Sequence, residues 1–249
     1  MDPKKEKLPD APDPAEQSRF LRWAENIWYH YKWHILITAF FLFTLAVCLA
    51  QCSSREKYDL NVCFAGGAAL DRQEQDGLAA VLEAILPEDY DGDGTRSVAL
   101  VTYPIYSEEQ LREMYSFVGE DGEKHFSEEL ANARAQNADE ISLFSSYSMT
   151  GECVVWFVSP YLFDQCNLSH IAVPLTDVFG TLPGSAANEY AIRLSGTEFY
   201  RYYAAVRSMP EDTLIVLTHP FDLLGQGSKE TVYQNGRELF RTIVMFSAP

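Results

Sequence analysis

Residues 35 to 50, ILITAFFLFTLAVCLA, form an uncharged apolar run that ends at polar Gln51. A bilayer accepts such a segment only as a helix, because every backbone N–H and C=O must then find its partner within the segment. The run is 16 residues long, short of the ~20 that a hydrocarbon core of ~30 Å asks for. Trp33 and His34 on one side, and Gln51 and Cys52 on the other, extend it into the interfaces. No second stretch of comparable length lacks charge, so the sequence predicts a single-pass membrane protein with a span over residues 34–52.

The residues before the span support a membrane address. Between Ser18 and Lys32, the side chains Phe20, Trp23, Ala24, Ile27, Trp28 and Tyr31 recur at spacings of three and four, with Arg19, Arg22, Glu25 and Asn26 largely opposite. This predicts an amphipathic interfacial helix over 18–33, capped by Ser18 and lying along the bilayer before the chain turns inward. Residues 1–17, with Pro9, Pro12 and Pro14, read as a disordered tail. Lys4, Lys5, Lys7, Arg19, Arg22 and Lys32 precede the span, against Arg55, Lys57 and Arg72 in the first stretch after it, so the N-terminus is expected in the cytoplasm. The 34 mixed-charge residues ahead of the run argue against a cleaved signal peptide. Leu49-Ala50-Gln51-Cys52 resembles a lipobox, but bulky Gln51 stands where a small residue belongs.

Charge divides the chain at the same place. Residues 1–33 hold six basic and six acidic side chains, leaving 13 basic and 30 acidic ones beyond and placing the formal charge of −17 there. That sign argues against nucleic acid as a partner. After a linker at 53–57, residues 58–249 are long enough for one extracytoplasmic domain with its own core.

That domain alternates strand and helix patterns. Tyr58–Phe64, Ser97–Tyr103 and the almost wholly apolar Glu152–Val158 read as strands, with helices over Asp71–Leu86, from Ser107 to about Phe117, and from Ser127 to Ser145. Ile171–Leu175 reads as a short extended piece, Tyr190–Leu194 and Thr213–Thr218 as strands, and Thr197–Met209 as an aromatic helix. Thr231–Phe246 is open between a hairpin turning at Asn235-Gly236 and a helix. This order implies an α/β fold: a mainly parallel sheet with helices on both faces. Cys63 and Cys153 lie in apolar strand-like runs, and with Cys166 they form no C-x-x-C or zinc pattern.

The stretch from Asn132 through Gly151-Glu152, Val154-Val155-Trp156-Phe157 and Ser159-Pro160-Tyr161-Leu162 to Ile171-Ala172-Val173-Pro174-Leu175-Thr176-Asp177 resembles the first lobe of bacterial type II extracellular solute-binding proteins. That resemblance implies a reduced binding lobe held by an uncleaved helix. The overall layout is also similar to membrane proteins of Gram-positive anaerobes.

Asp89-Tyr90-Asp91-Gly92-Asp93-Gly94-Thr95 is the sharpest local motif. Aspartates at first, third and fifth positions followed by Gly, with the Thr95 carbonyl at the seventh, are how a calcium loop gathers hard oxygens. Leu100 occupies the twelfth position, where a bidentate Glu would stand. The balance therefore favours an acidic turn over a calcium site, and no other cofactor is expected.

Catalytic patterns are absent: there is no G-x-S-x-G, H-E-x-x-H, Walker loop or G-x-G-x-x-G. The expected role is therefore binding, not catalysis. In a parallel sheet a small-molecule or peptide ligand meets the carboxyl ends of the strands, here Gly66, Gly67, Tyr103, Ser159 and Tyr161. The competing role is a scaffold for another envelope protein, which predicts a filled sheet end and an exposed apolar patch. An envelope hydrolase ranks third.

Overall fold

The computed structural model describes residues 14–53, 58–219 and 228–248. The chain divides into two units, 1–56 and 57–249.

Among the described residues, the first unit is one helix, α1 (Pro14–Ser53). The two helical pieces expected at 18–33 and 34–52 are thus continuous, for a simple reason: after Pro14 no Pro or Gly occurs before Ser53, and Pro itself suits a first helical position. Ser18 accordingly lies inside the helix, while residues 1–13 and 54–57 of the expected tail and linker fall outside the described residues. Trp28–Leu49 is 22 residues long with mean hydropathy 1.9, enough by length and composition to cross a membrane. Its described side chains, among them Phe40, Phe43 and Leu49, stand exposed. Thr44, one of the two threonines inside the run, donates to the Phe40 carbonyl at 2.9 Å, which satisfies it within the helix.

The second unit is built on strands β1 (Leu60–Gly66), β2 (Val98–Pro104), β5 (Cys153–Val158), β6 (Ala191–Arg193) and β7 (Leu214–Leu217), in the order β2-β1-β5-β7-β6. Pairing of β1 with β2 and β5 is parallel, while β7 runs antiparallel to both its neighbours, so four of the five strands point one way. The mainly parallel α/β fold follows. A separate two-stranded hairpin, β3 (Ser116–Val118) and β4 (Lys124–Phe126), lies between α3 (Glu108–Met114) and α4 (Glu129–Ser148).

Both sheet faces are covered. One side packs Val62, Phe64, Val155 and Phe157 against Leu78 and Leu82 of α2 (Arg72–Ile85) and Leu239, Phe240 and Ile243 of α8 (Ser228–Val244). The other packs Cys63, Ala65, Trp156 and Val158 against Phe144 of α4 and Leu162 and Phe163 of α5 (Pro160–Gln165). The strict alternation is broken once: the β1–β5 register shifts at Asn61/Val62, and Val154 and Val155 both enter the α2/α8 side. The Trp156 indole N–H closes that bulge by donating to the Cys153 carbonyl at 3.1 Å.

Several elements differ from expectation. Residues 171–175 form no strand; Ala172 makes a single bridge to Thr218, and Leu175 opens the short helix α6 (Leu175–Phe179). The aromatic stretch after Thr197 is only one turn of helix, α7 (Glu198–Tyr202), followed by a 3-10 segment over Ala204–Ser208. Asn235-Gly236 is not a turn but the middle of α8, where a Cβ on Gly236 would collide with the Val154 side chain. The helix from Ser107 ends at Met114, because the chain then enters the hairpin.

Candidate functional site

At the carboxyl ends of β1, β2 and β5, backbone bonds close the sheet. The Gly66 carbonyl accepts from Ala68 N at 2.8 Å and Ile105 N at 3.0 Å, and the Ala65 carbonyl accepts from Ser159 N at 2.9 Å. Gln110 lies over Gly67, so that a Cβ there would come within 2.9 Å of Gln110 Cδ. Gln110 is held by a capping box: its Oε1 accepts from Ser107 N at 2.8 Å while Ser107 Oγ accepts from Gln110 N. Ser159 caps α5 by accepting from Leu162 N. Tyr103 packs edge-on against Phe144, ring centroids 5.7 Å apart, and burial pushes its phenol up. Tyr161 packs against the same apolar cluster. Gly66, Gly67, Tyr103, Ser159 and Tyr161 thus each make a backbone or packing contact at this end.

Beside this end lies an open cleft of about 250 Å³, lined by Pro104, Tyr106, Leu111, Met114, Tyr115 and Asn137 among others, and by none of those five. Glu140 and Gln136 also line it, and the Asn137 amide is already committed, accepting from Tyr106 N at 2.7 Å and donating to Tyr106 O at 2.9 Å.

The acidic loop lies between α2 and β2. Asp89 Oδ1 accepts from Gly92 N and Oδ2 from Gly94 N, each at 2.8 Å, and the Gly94 bond leads in holding its carboxyl below the usual range. Gly92 and Gly94 have φ of 75° and 93°, the left-handed turn that Gly accepts without strain. Asp93 takes a different partner set: its Oδ1 accepts from Thr95 N at 2.8 Å and from the Thr95 hydroxyl at 2.6 Å. The third member of the cluster is Asp59, just before β1. Ligand-capable oxygens of Asp59, Asp89 and Asp91 lie within 4.8 Å of one another. Asp59 Oδ1 also accepts from Tyr90 N and Asp91 N, at 2.6 and 2.9 Å, and its Oδ2 from Ser97 N at 2.8 Å. Three carboxylates with spare lone pairs fit a hard cation, while their bonds to backbone N–H groups satisfy the loop without one. Only the fold reveals Asp59, since it lies 30 residues before Asp89 in the chain.

The third region carries none of the catalytic or metal-binding motifs. Between Tyr106 and Ala133, a small cluster of Leu111, Leu130 and Ala133, with Tyr106 and Tyr115 packed against it, joins α3 to α4. Met114, Phe117, Val118 and Phe126 stand 52, 53, 74 and 46 % exposed. Glu108 bridges α3 to α4 by accepting from Arg112 Nε at 2.7 Å and Arg134 Nε at 3.0 Å; the Arg134 bond leads in lowering its pKa to about 2. At the hairpin tip, Gly119 N donates to Glu123 O, and Asp121 accepts from Glu123 N and contacts His125 Nε2 at 2.9 Å. Asp121-Gly122, flanked by Phe117-Val118 and His125-Phe126, is the dipeptide signal that could have exposed this hairpin in the sequence.

Comparison with protein-family models, curated proteins and solved structures finds no match.

Proposed function

We propose that this chain is a single-pass membrane protein whose α/β domain lies outside the cytoplasm and holds another envelope protein, binding without catalysis. The supporting observation is the pairing of a closed sheet end with an exposed apolar hairpin, Phe117, Val118 and Phe126, raised beside α3. Val118 and Phe126 share one face of the hairpin and Phe117 stands on the other, and a two-stranded hairpin is marginal by itself, so a partner strand that covers it accounts for both. The basic residues ahead of the span support a cytoplasmic N-terminus.

A photo-crosslinking residue placed at Val118 in intact cells should yield adducts with a second membrane or envelope protein. The same residue at exposed Glu211 should not. Absence of adducts from positions 117, 118 and 126 alike overturns the docking role. Protease added outside those cells should remove the domain and spare the tail, and the opposite pattern reverses the orientation.

The second reading keeps the resemblance to a reduced solute-binding lobe, with a small molecule or peptide in the cleft beside Tyr106 and Met114. A melting-temperature rise with sugars, amino acids or peptides, lost in Met114→Asp, supports it. The acidic clasp serves the fold in both readings. A calcium role requires a stabilisation by millimolar calcium that magnesium does not reproduce and that Asp89→Asn with Asp91→Asn abolishes.

A further inference from the structure

The two edges of the hairpin are not equivalent. The bonds Gly119 N to Glu123 O and Ser127 N to Tyr115 O fix the antiparallel alternation, so Phe117 faces His125 through its backbone and the backbone groups of Ser116 and Val118 turn outward. On the β4 side, Lys124 stands on the strand itself and Arg112 lies over the Phe126 ring at 5.8 Å. Charged residues of this kind are what sheets use to protect an edge. The β3 edge is Ser116-Phe117-Val118, with no charge, and carries the most exposed residue of the patch, Val118 at 74 %. Among the described residues β3 pairs only with β4.

The surroundings are strongly acidic. Tyr106–Leu130 contains eight Asp or Glu and two Lys or Arg, and Arg112 is already engaged by Glu108. A second copy of the chain would bring two such acidic rims together, and an anionic lipid surface would meet the same repulsion. A basic partner gains from it.

We infer that β3 receives an extended segment of a partner protein, basic and with apolar side chains at alternate positions, which adds as a third strand. Backbone groups of Ser116 and Val118 supply the ladder; Val118, on the face it shares with Phe126, meets the apolar side chains, while Phe117 stands on the opposite face with His125; Glu120, Asp121 and Glu123 meet the cations. The inference rests on the docking role proposed above and names the partner's chemistry.

The test uses the full chain in phosphatidylcholine nanodiscs and a labelled, blocked (Lys-Val)₄ peptide, read by fluorescence anisotropy. Binding is expected to fall about tenfold or more for a (Glu-Val)₄ peptide and to weaken with added salt. Val118→Pro removes an N–H that the hairpin does not use, and should lower (Lys-Val)₄ binding about tenfold at unchanged melting temperature. A (Lys-Val)₄ peptide N-methylated at alternate residues probes strand addition with the protein intact, and should bind as weakly. Equal binding of the glutamate peptide, or of the N-methylated one, overturns the inference. Self-association, or binding to phosphatidylglycerol vesicles, that Val118→Pro abolishes overturns it too, by identifying a second copy or lipid as the occupant. Crosslinking at Val118 in cells that survives failure of every peptide leaves the docking role standing and removes only this partner chemistry.

Discussion

Two glycines sit inside helices of the domain, and Ala substitution should move stability in opposite directions. Gly77 lies in α2, where an added Cβ meets Ala205 Cβ at 3.5 Å, an ordinary contact. Gly77→Ala therefore realises the helix-propensity gain of about 1 kcal/mol. Gly236 lies in α8 against β5, and its added Cβ would run into Val154 Cγ2, with Val155 Cγ2 at 3.4 Å beyond. The collision arises because the β5 bulge turns both valines toward α8. Overpacking of this kind costs about 1–3 kcal/mol, which exceeds the same propensity gain, so Gly236→Ala should destabilise by about 1 kcal/mol. Val154→Ala removes two carbons, a loss of about 2 kcal/mol, but also removes the obstacle. In that background Gly236→Ala should become stabilising, a coupling of about 2 kcal/mol. Thermal unfolding of the detergent-solubilised chain, followed by near-UV circular dichroism, reads each kcal/mol as a shift of about 2–4 °C for a domain of this size. If Gly236→Ala stabilises as much as Gly77→Ala, or if Val154→Ala leaves its effect unchanged, the packing argument fails.

Asp59→Ala should destabilise the domain by about 2 kcal/mol, because the N–H groups of Tyr90, Asp91 and Ser97 lose a charged acceptor; chemical denaturation measures it, and a change within error would refute the clasp. Glu108 titrates near 2, below its ordinary 4.5, so its stabilisation is complete above about pH 4.5 and is lost as pH falls through 2. Glu108→Gln should flatten the acid limb of the pH–stability curve between those values, and an unchanged limb would refute the assignment. Cys63 and Cys153 are fully buried free thiols, Cys153 pushed up to about 12 chiefly by desolvation, so site-resolved mass spectrometry should find both unlabelled by maleimide until the chain is unfolded.

Local chemistry was readable from local residues. The charge-free run from Ile35, with no Pro or Gly to interrupt it, determined a helix of membrane-spanning composition; Ser107 with Gln110 determined a capped helix start; the all-apolar Cys153–Val158 determined a central strand. Helix caps and backbone periodicity depend on neighbours three or four positions away, which a sequence displays directly. What tertiary structure decided involves groups distant in the chain. Asn235-Gly236 has the local signature of a hairpin, yet Gly is needed there because α8 crosses the bulged valines of β5. Asp93, third in the aspartate series, turns to Thr95, while Asp59 takes its place in the cluster through the β1–β2 pairing. Gln110 covers Gly67 because its capping box aims it across the sheet end, a contact that no local spacing displays. The hairpin at Ser116–Phe126 is not legible in the sequence because three-residue strands carry too few alternations to stand out. Periodicity reports which face of an element is apolar; which partner covers that face, and which faces stay open, is settled only by the three-dimensional contacts.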